Sequence, residues 1–246
     1  MLPSYNEIEN LAAISAAILE QLPGSTLLIV DDSSPDGTGA LADRLAAEEP
    51  RIRVLHRPTK QGLGKAYVDG FRAALNGGAA KVVQMDADWS HDPAYLPHLV
   101  GTLDGGAGGG DQARADLVIG SRYVAGGGVR NWGFLRRFVS RGGSVFARTV
   151  LRLSPHDLTG GFKAWRRDAL AGLPWTRLHS GGYVFQIETT YLASRQGARV
   201  AEIPIVFVDR RLGTSKMSRR IIFEALAVVL RLRWDELRGR GPGGRR

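Results

Sequence analysis

Residues 26–30, TLLIV, form an unbroken apolar run that stops at a cluster of acids and turn formers, DDSSPDG. A run of this kind is what a strand buried on both faces requires, as in a parallel sheet. Further strands are expected at 52–56, 80–85 and 116–120, with helical patterns between the runs. Over 10–22, Leu11, Ile14, Ile18 and Leu22 recur at three- and four-residue spacing. Residues 38–47 and 63–75 read as the next two helices. This β-α-β-α rhythm predicts an α/β fold, a Rossmann-like, mostly parallel sheet with flanking helices. Such sheets bind ligands at the carboxyl ends of their strands. Two acidic clusters fall there, Asp31-Asp32 and Asp86-Ala87-Asp88.

The length, 246 residues, suits one domain with a small appended element. Cysteine is absent, which excludes disulfides and thiolate metal sites. No apolar run approaches the roughly 18–20 residues that span a bilayer, and the first ten residues are polar with two glutamates. The expectation is a protein without a transmembrane helix on the cytoplasmic side. Charge is divided unevenly. Residues 1–129 carry 10 Lys/Arg and 16 Asp/Glu, whereas residues 130–246 carry 23 and 8. An acidic half suited to catalysis is thus joined to a basic half that meets something anionic, either nucleic acid or lipid. Pro3-Ser4-Tyr5-Asn6-Glu7 reads as the loop after a first strand. Only Met1 and Leu2 precede it, so the expectation is a true start further upstream. The Gly-rich stretch 104–114 reads as a surface loop, and 238–246 as a basic disordered tail.

Two carboxylates at i and i+2 on an extended segment point the same way and can share one hard cation. The alternative reading of Asp86 and Asp88 is a solvated turn with a helix cap before Pro93. Asp31-Asp32 alone reads more simply as a capping loop. Two acidic strand ends in one sheet are harder to dismiss, because carboxylates that crowd together need a cation or donors. The five histidines, His56, His91, His98, His156 and His179, show no metal spacing and read as structural, with His91 nearest the acids.

Several strings occur in order: PSYNE, VDDSSPDGT, QMDADWSHDP, GSRY, DLTGGFKAWRR, GYVFQIE and EIPIVFVDRRLGTSKMS. Together they resemble the inverting glycosyltransferases of family 2, and among them the dolichol- or polyprenol-phosphate mannosyltransferases of actinobacterial type. The resemblance runs from about Pro3 to Ser218. It implies a single GT-A-type domain over 1–217, a C-terminal amphipathic helix over 218–237, and transfer of mannose from GDP-mannose to a polyprenyl monophosphate. It also implies roles for residues. Pro3, Tyr5, Glu7, Val30 and Asp32 would border the nucleoside. Asp86, Ala87 and Asp88 would meet the donor diphosphate and sugar, with Asp86 and Asp88 holding Mg²⁺ or Mn²⁺. Arg122 would stand near the acceptor phosphate, and Asp157, Thr159 and Gly160 beside the sugar pocket. Gln186 and Glu188 would lie near the sugar or the acceptor mouth. Arg211 and Lys216 would close a basic loop over the phosphates, so that Asp88, Arg122, Arg211 and Lys216 carry catalysis. The family often has Gln where Ser90 stands here; serine is a shorter third ligand, and water is the alternative.

A phosphate acceptor is already ionised near neutral pH, its second pKa being about 6. The implied mechanism is therefore direct in-line attack with inversion and no covalent intermediate. Arg122, with Arg130 or Arg136, would hold the acceptor phosphate through arginine's planar fork. Read without the resemblance, Arg122 is equally a surface arginine, Glu188 a solvated helix face, and Tyr183 and Phe185 core. Residues 130–152 hold six arginines and no acid, interleaved with Trp132, Phe134, Phe138, Val145 and Phe146. That is the composition of an interfacial amphipathic helix, or of a pair broken at Gly142-Gly143. Residues 221–237 form a second such helix, with Ile222, Ala225, Leu226, Val229 and Leu232 on one stripe. Peripheral membrane contact is expected, alone or through a separate anchor protein. The rivals are a basic nucleic-acid-binding protein, which leaves the strand-end acids unexplained, a UDP-glucose-using relative, and an inactive scaffold.

Overall fold

The computed structural model describes residues 1–106, 114–178, 184–209 and 219–241. Seven strands build the main sheet in two hydrogen-bonded groups. The first holds β1 (Leu2–Ser4), β2 (Leu27–Asp31) and β3 (Ile52–His56), all parallel. The second runs in the order β4 (Lys81–Gln84), β7 (Lys163–Arg166), β5 (Leu117–Ser121), β8 (Val200–Pro204). The main chain of Met1 joins the groups: its nitrogen donates to the Val83 carbonyl at 2.8 Å, and its carbonyl accepts from Met85 N at 3.3 Å. Only β7 runs against its neighbours. A parallel pair, β6 (Gly128–Arg130) and β9 (Val206–Val208), stands beside the sheet.

The first motif begins inside a strand and not after one: Pro3 and Ser4 belong to β1, and the loop starts at Tyr5. β1 is three residues long and pairs Leu2 with Ile29 through Ser4 with Asp31. The other expected strands lie within about one residue of their observed positions. β7 was not legible, because KAWR is neither an apolar run nor a clean alternation. Its burial explains it: Lys163, Ala164 and Trp165 are all inaccessible.

Side chains alternate across the pleat, and this divides the core in two. Val118 and Ala164 face one side, with Leu11, Ile14 and Ile18 of α1 (Leu11–Gln21), Ala42 of α2 (Thr38–Glu48), and Leu96, Leu99 and Leu103 of α4 (Leu96–Leu103). Leu117, Ile119 and Trp165 face the other. There they meet Tyr67 and Phe71 of α3 (Leu63–Asn76), Leu170 of α6 (Arg167–Ala171), and Phe185, Ile187 and Tyr191 of α7 (Val184–Arg195). Ala147 and Leu151 of α5 (Phe134–Leu151) and Val229 of α8 (Arg219–Leu237) close that second core.

Three helical alternatives are decided. α5 runs unbroken through Gly142-Gly143. Two glycines cost about 1 kcal/mol each in a helix, and anchorage at Ala147 and Leu151 offsets that. The interleaved apolar residues divide: Trp132, just ahead of α5, and Ala147 and Leu151 within it are buried, while Phe134, Phe138 and Val145 are exposed. Finally, Glu188 is not on a solvated face, since every residue of α7 from Val184 to Ala193 is buried.

Candidate active site

β4 ends at Gln84, and the chain turns through Asp86, Ala87 and Asp88 at its carboxyl end. The turn is held from within. The Asp86 amide donates to His91 Nδ1 at 3.0 Å, and the Ser90 amide donates to Asp88 Oδ1 at 3.1 Å. Tyr67 hydroxyl donates to Asp86 Oδ1 at 3.1 Å. Burial first, and then the charge of Asp86, push the Tyr67 phenol well above its ordinary range, so it stays protonated and remains a donor.

His91 is buried, stacked on Phe162 with ring centroids 4.9 Å apart. Burial pulls its pKa below the usual value, although Asp86 and Asp88 oppose the shift. With Nδ1 accepting a main-chain N–H, the ring is the neutral Nε2–H tautomer. Its role is to fix the Asp86 turn, which agrees with the structural reading of this histidine.

Asp86, Asp88, Ser90 and His91 line a cavity of about 130 Å³ together with Arg122, Thr159, Gly160, Gly161 and Gln186. Arg122 is nine-tenths buried and held in a fork: Nε and Nη2 donate to the two oxygens of Asp157, each at 2.6 Å, and Nη2 also donates to Thr159 at 2.7 Å. It is therefore no surface arginine. Burial pushes the Asp157 carboxyl up, but the charge and hydrogen bonds of Arg122 outweigh that and leave it below the carboxylate range. The pair puts a fixed cation opposite the β4 carboxylates. Gln186 is held by Gln84, whose amide donates to Gln186 Oε1 at 2.9 Å and to the Gly161 carbonyl at 3.0 Å.

The far wall differs in character. Val139, Gly143 and Phe146 of α5 and Ala225, Leu226 and Val229 of α8 continue the same cavity as an apolar slot. Arg136 stands at the join, with Nη1 donating to Asp209 at 2.6 Å. One cavity thus has an ionic end and an apolar end.

Two resemblance-implied assignments shift. Arg130, exposed at the end of β6, is not in the cavity wall. Glu188 is buried behind the wall and not at a mouth. Ala87 and Val30 bury their side chains in the core, so only their main chain can face a ligand. Arg211 and Lys216 lie outside the described residues, as do Tyr183 and His179.

The residues that the resemblance assigns to the nucleoside form a cluster at the ends of β1 and β2. Pro3 is buried in β1 beside Val30. Glu7 accepts from Asn10 at 2.8 Å. The Lys60 ammonium caps the Tyr5 ring at 3.4 Å. Asp32 is held by Arg57, which also reaches Asp69 at 2.8 Å, and by the amides of Gln61 and Gly62. Arg57 went unremarked in the sequence, yet it directly follows β3. The strand-end rule that singled out Asp32 points to it equally.

The donors near Asp86 suit a hard cation. Ser90 Oγ is buried and has no hydrogen-bond partner among the described residues, although it shares the wall with both carboxylates. Two carboxylates and a hydroxyl form an all-oxygen set. Mg²⁺ and Mn²⁺ accept such a set, with substrate phosphate and water completing it. Among the described residues no cluster of three acidic, histidine or cysteine ligands exists.

The profile of glycosyl transferase family 2 matches residues 1–173. The chain belongs to this family. A protein of Micrococcus luteus named undecaprenyl-phosphate mannosyltransferase is 45% identical over 244 residues, covering 98% of this chain and 97% of its own. A protein of Mycolicibacterium smegmatis named polyprenol monophosphomannose synthase is also 45% identical over 244 residues, covering 97% and 89%. Among solved structures, glucosyl-3-phosphoglycerate synthase from Mycobacterium tuberculosis, in complex with uridine diphosphate, superposes with a TM-score of 0.64. The identity there is 21%, with coverage of 94% of this chain and 77% of the other. The same enzyme with Mn²⁺, UDP-glucose and glycerol 3-phosphate gives 0.60 at 21% identity, covering 97% and 78%. The fold is thus GT-A-like, and the protein is a glycosyltransferase.

Proposed function

We propose that this family 2 glycosyltransferase moves mannose from GDP-mannose to a polyprenyl monophosphate, with inversion. The observation that carries the reading is the two-ended cavity. Carboxylates and a fixed arginine stand at one end, as a sugar diphosphate and a phosphate require. The other end is apolar, as a prenyl chain requires. The names of the two relatives at 45% identity support the same acceptor and sugar.

An acceptor phosphate oxygen attacks the anomeric carbon from the face opposite the diphosphate. The bond from that carbon to the diphosphate oxygen breaks, and GDP leaves. The attacking oxygen is already ionised near neutral pH, so no general base is needed, in keeping with a neutral His91 committed to the Asp86 turn. Arg122, fixed by Asp157, and Arg136 orient the acceptor phosphate by preorganised charge. Asp32, Tyr5 and Glu7 take the nucleoside. Asp86, Asp88 and the Ser90 hydroxyl would hold Mg²⁺ or Mn²⁺, which supplies positive charge for the leaving diphosphate. Arg211 and Lys216 are assigned to the phosphates on the family resemblance alone. The exposed faces of α5 and α8 would rest on the cytoplasmic face of the membrane, unaided or beside an anchor protein. Among the described residues no helix is long and apolar enough to cross it.

The test is sugar transfer into an organic-extractable lipid, with purified protein, polyprenyl phosphate, Mg²⁺ or Mn²⁺, and labelled GDP-mannose beside labelled UDP-glucose. Label from GDP-mannose that EDTA abolishes is expected. Label from UDP-glucose alone would overturn the donor, and label from neither would overturn the reaction. Asp88→Ala is expected to lower turnover roughly a hundredfold or more at saturating metal. Near-normal turnover would remove Asp88 from the site.

A further inference from the structure

Three residues of one cavity wall each carry a buried polar atom without a hydrogen-bond partner among the described residues: Ser90 Oγ, Trp132 Nε1 and Arg136 Nε. A buried donor or acceptor left unpaired is costly. Three on one wall therefore mark the seat of a polar guest. Ser90 is accounted for by the cation set. The other two are N–H groups that donate and cannot accept, so their guest is rich in acceptor oxygens.

The indole is rigidly placed. Trp132 is 8% exposed. The Arg136 guanidinium lies 4.3 Å and that of Arg122 5.4 Å from its ring centroid. Phe207 meets it edge to face at 5.4 Å. Two cations on the ring raise the local positive potential and leave the indole N–H as a preset donor. The anion that fits must also tolerate an apolar neighbourhood, because Val139, Phe146, Leu226 and Val229 complete this part of the wall.

We propose that Trp132 is an acceptor-recognition residue. Its indole N–H and the Arg136 Nε–H together donate to the phosphate of a lipid monophosphate whose chain lies against α5 and α8. The proposal rests on the acceptor class proposed above. It adds a neutral donor, from a residue whose sequence signal was purely apolar, to a site otherwise built on arginine charge. The consequence is selectivity: a prenyl alcohol lacks the acceptors that the two N–H groups need, and a free phosphate lacks the chain.

The variant Trp132→Phe keeps an aromatic ring at this position and removes the N–H together with the fused pyrrole ring that carries it. The acceptor KM is expected to rise roughly tenfold or more, the loss of one hydrogen bond to a charged group. The KM for the sugar donor should stay within twofold, while thermal stability without ligand should fall modestly for the space the smaller ring leaves; a fall in stability with both KM values unchanged would reduce Trp132 to a packing residue. In ¹⁵N-labelled protein, the indole resonance missing from the variant should move on addition of geranyl phosphate. Geraniol should leave it in place, and inorganic phosphate at equal concentration should move it less. An unchanged acceptor KM, or a resonance that moves with GDP-mannose and not with geranyl phosphate, would overturn the assignment. The two readings fail separately. A shift with geranyl phosphate in protein that transfers no sugar leaves the phosphate site standing and removes the reaction. Transfer with an unmoved resonance does the reverse.

Discussion

A lysine with no exposed surface sits at the start of β7. Lys163 Nζ donates to the Gln186 carbonyl at 2.8 Å and to Thr190 Oγ1 at 2.9 Å. Burial pulls its pKa down to about 7, against the opposing charge of Asp157. In the unfolded chain the value is about 10.4. Between these two pH values the unfolded chain binds the extra proton, so this group makes stability rise with pH above about 7 and adds no slope below it. In urea denaturation, the stability of the native protein relative to Lys163→Met is expected to grow by roughly 1–3 kcal/mol from pH 7 to pH 9. A difference that stays flat across that window would mean the lysine is not desolvated. Asp157→Asn addresses the other buried ion. It strands the Arg122 guanidinium without its counter-charge, and a loss of about 3–5 kcal/mol is expected. At this scale the sequence exposes what is local. Asp86 and Asp88 are two residues apart at a strand end, and strand periodicity finds them. The Arg122–Asp157 fork joins residues 35 apart, and the Gln84–Gln186 bond residues 102 apart. Folding alone brings these together. Composition marks Trp132 only as apolar, because it does not report the direction of an indole N–H.

Strands and helices show a similar boundary between what patterning reveals and what packing decides. The parallel strands β2 and β4 are short apolar runs ending at acids, so their place and their function were legible together. α5 is legible as an amphipathic segment, with one helix and a broken pair both open. Gly142-Gly143 suggests a break in sequence, whereas contact with α8 and the second core carries the helix through. The glycines have a positional consequence as well. Gly143 lines the cavity, and a Cβ built on it meets no atom within 4 Å. A larger side chain there would project into the slot between α5 and α8 without a steric penalty to the fold. Gly143→Leu should therefore fold and, if anything, gain helix stability by up to about 1 kcal/mol. It should also discriminate among acceptors. Turnover with a long polyprenyl phosphate is expected to fall several-fold more than turnover with geranyl phosphate, as measured by kcat/KM for each. Equal loss with both would place the chain elsewhere.

Over the whole molecule, apolar surface is distributed in one direction. Among the described residues the large exposed hydrophobic side chains are Ile8 and then Phe134, Phe138, Val145, Phe223, Leu230, Trp234 and Leu237, all on α5 and α8. The opposite faces of the same helices supply Ala147, Leu151 and Val229 to the second core. The division of charge read from the sequence falls on the same elements. Arg137 and Arg141 flank the exposed phenylalanines of α5, and Arg231 and Arg238 flank Trp234 on α8. Aromatic residues set among arginines fit an anionic bilayer surface, where each basic residue contributes about 1 kcal/mol and the rings bury apolar area. The combined substitution of Phe138, Phe223 and Trp234 by Glu removes three rings and adds three negative charges on that face. None of the three lines the cavity. Co-sedimentation with vesicles containing anionic lipid is expected to fall by tenfold or more. Turnover with geranyl phosphate in free solution should stay within about twofold of the native value. For the native protein, sedimentation should weaken as salt screens the arginines over a Debye length of about 8–10 Å, yet persist in part because the rings are indifferent to salt. Unchanged sedimentation of the triple variant would show that this face is not what meets the bilayer. Loss of turnover in free solution alongside it would show instead that the face supports the fold.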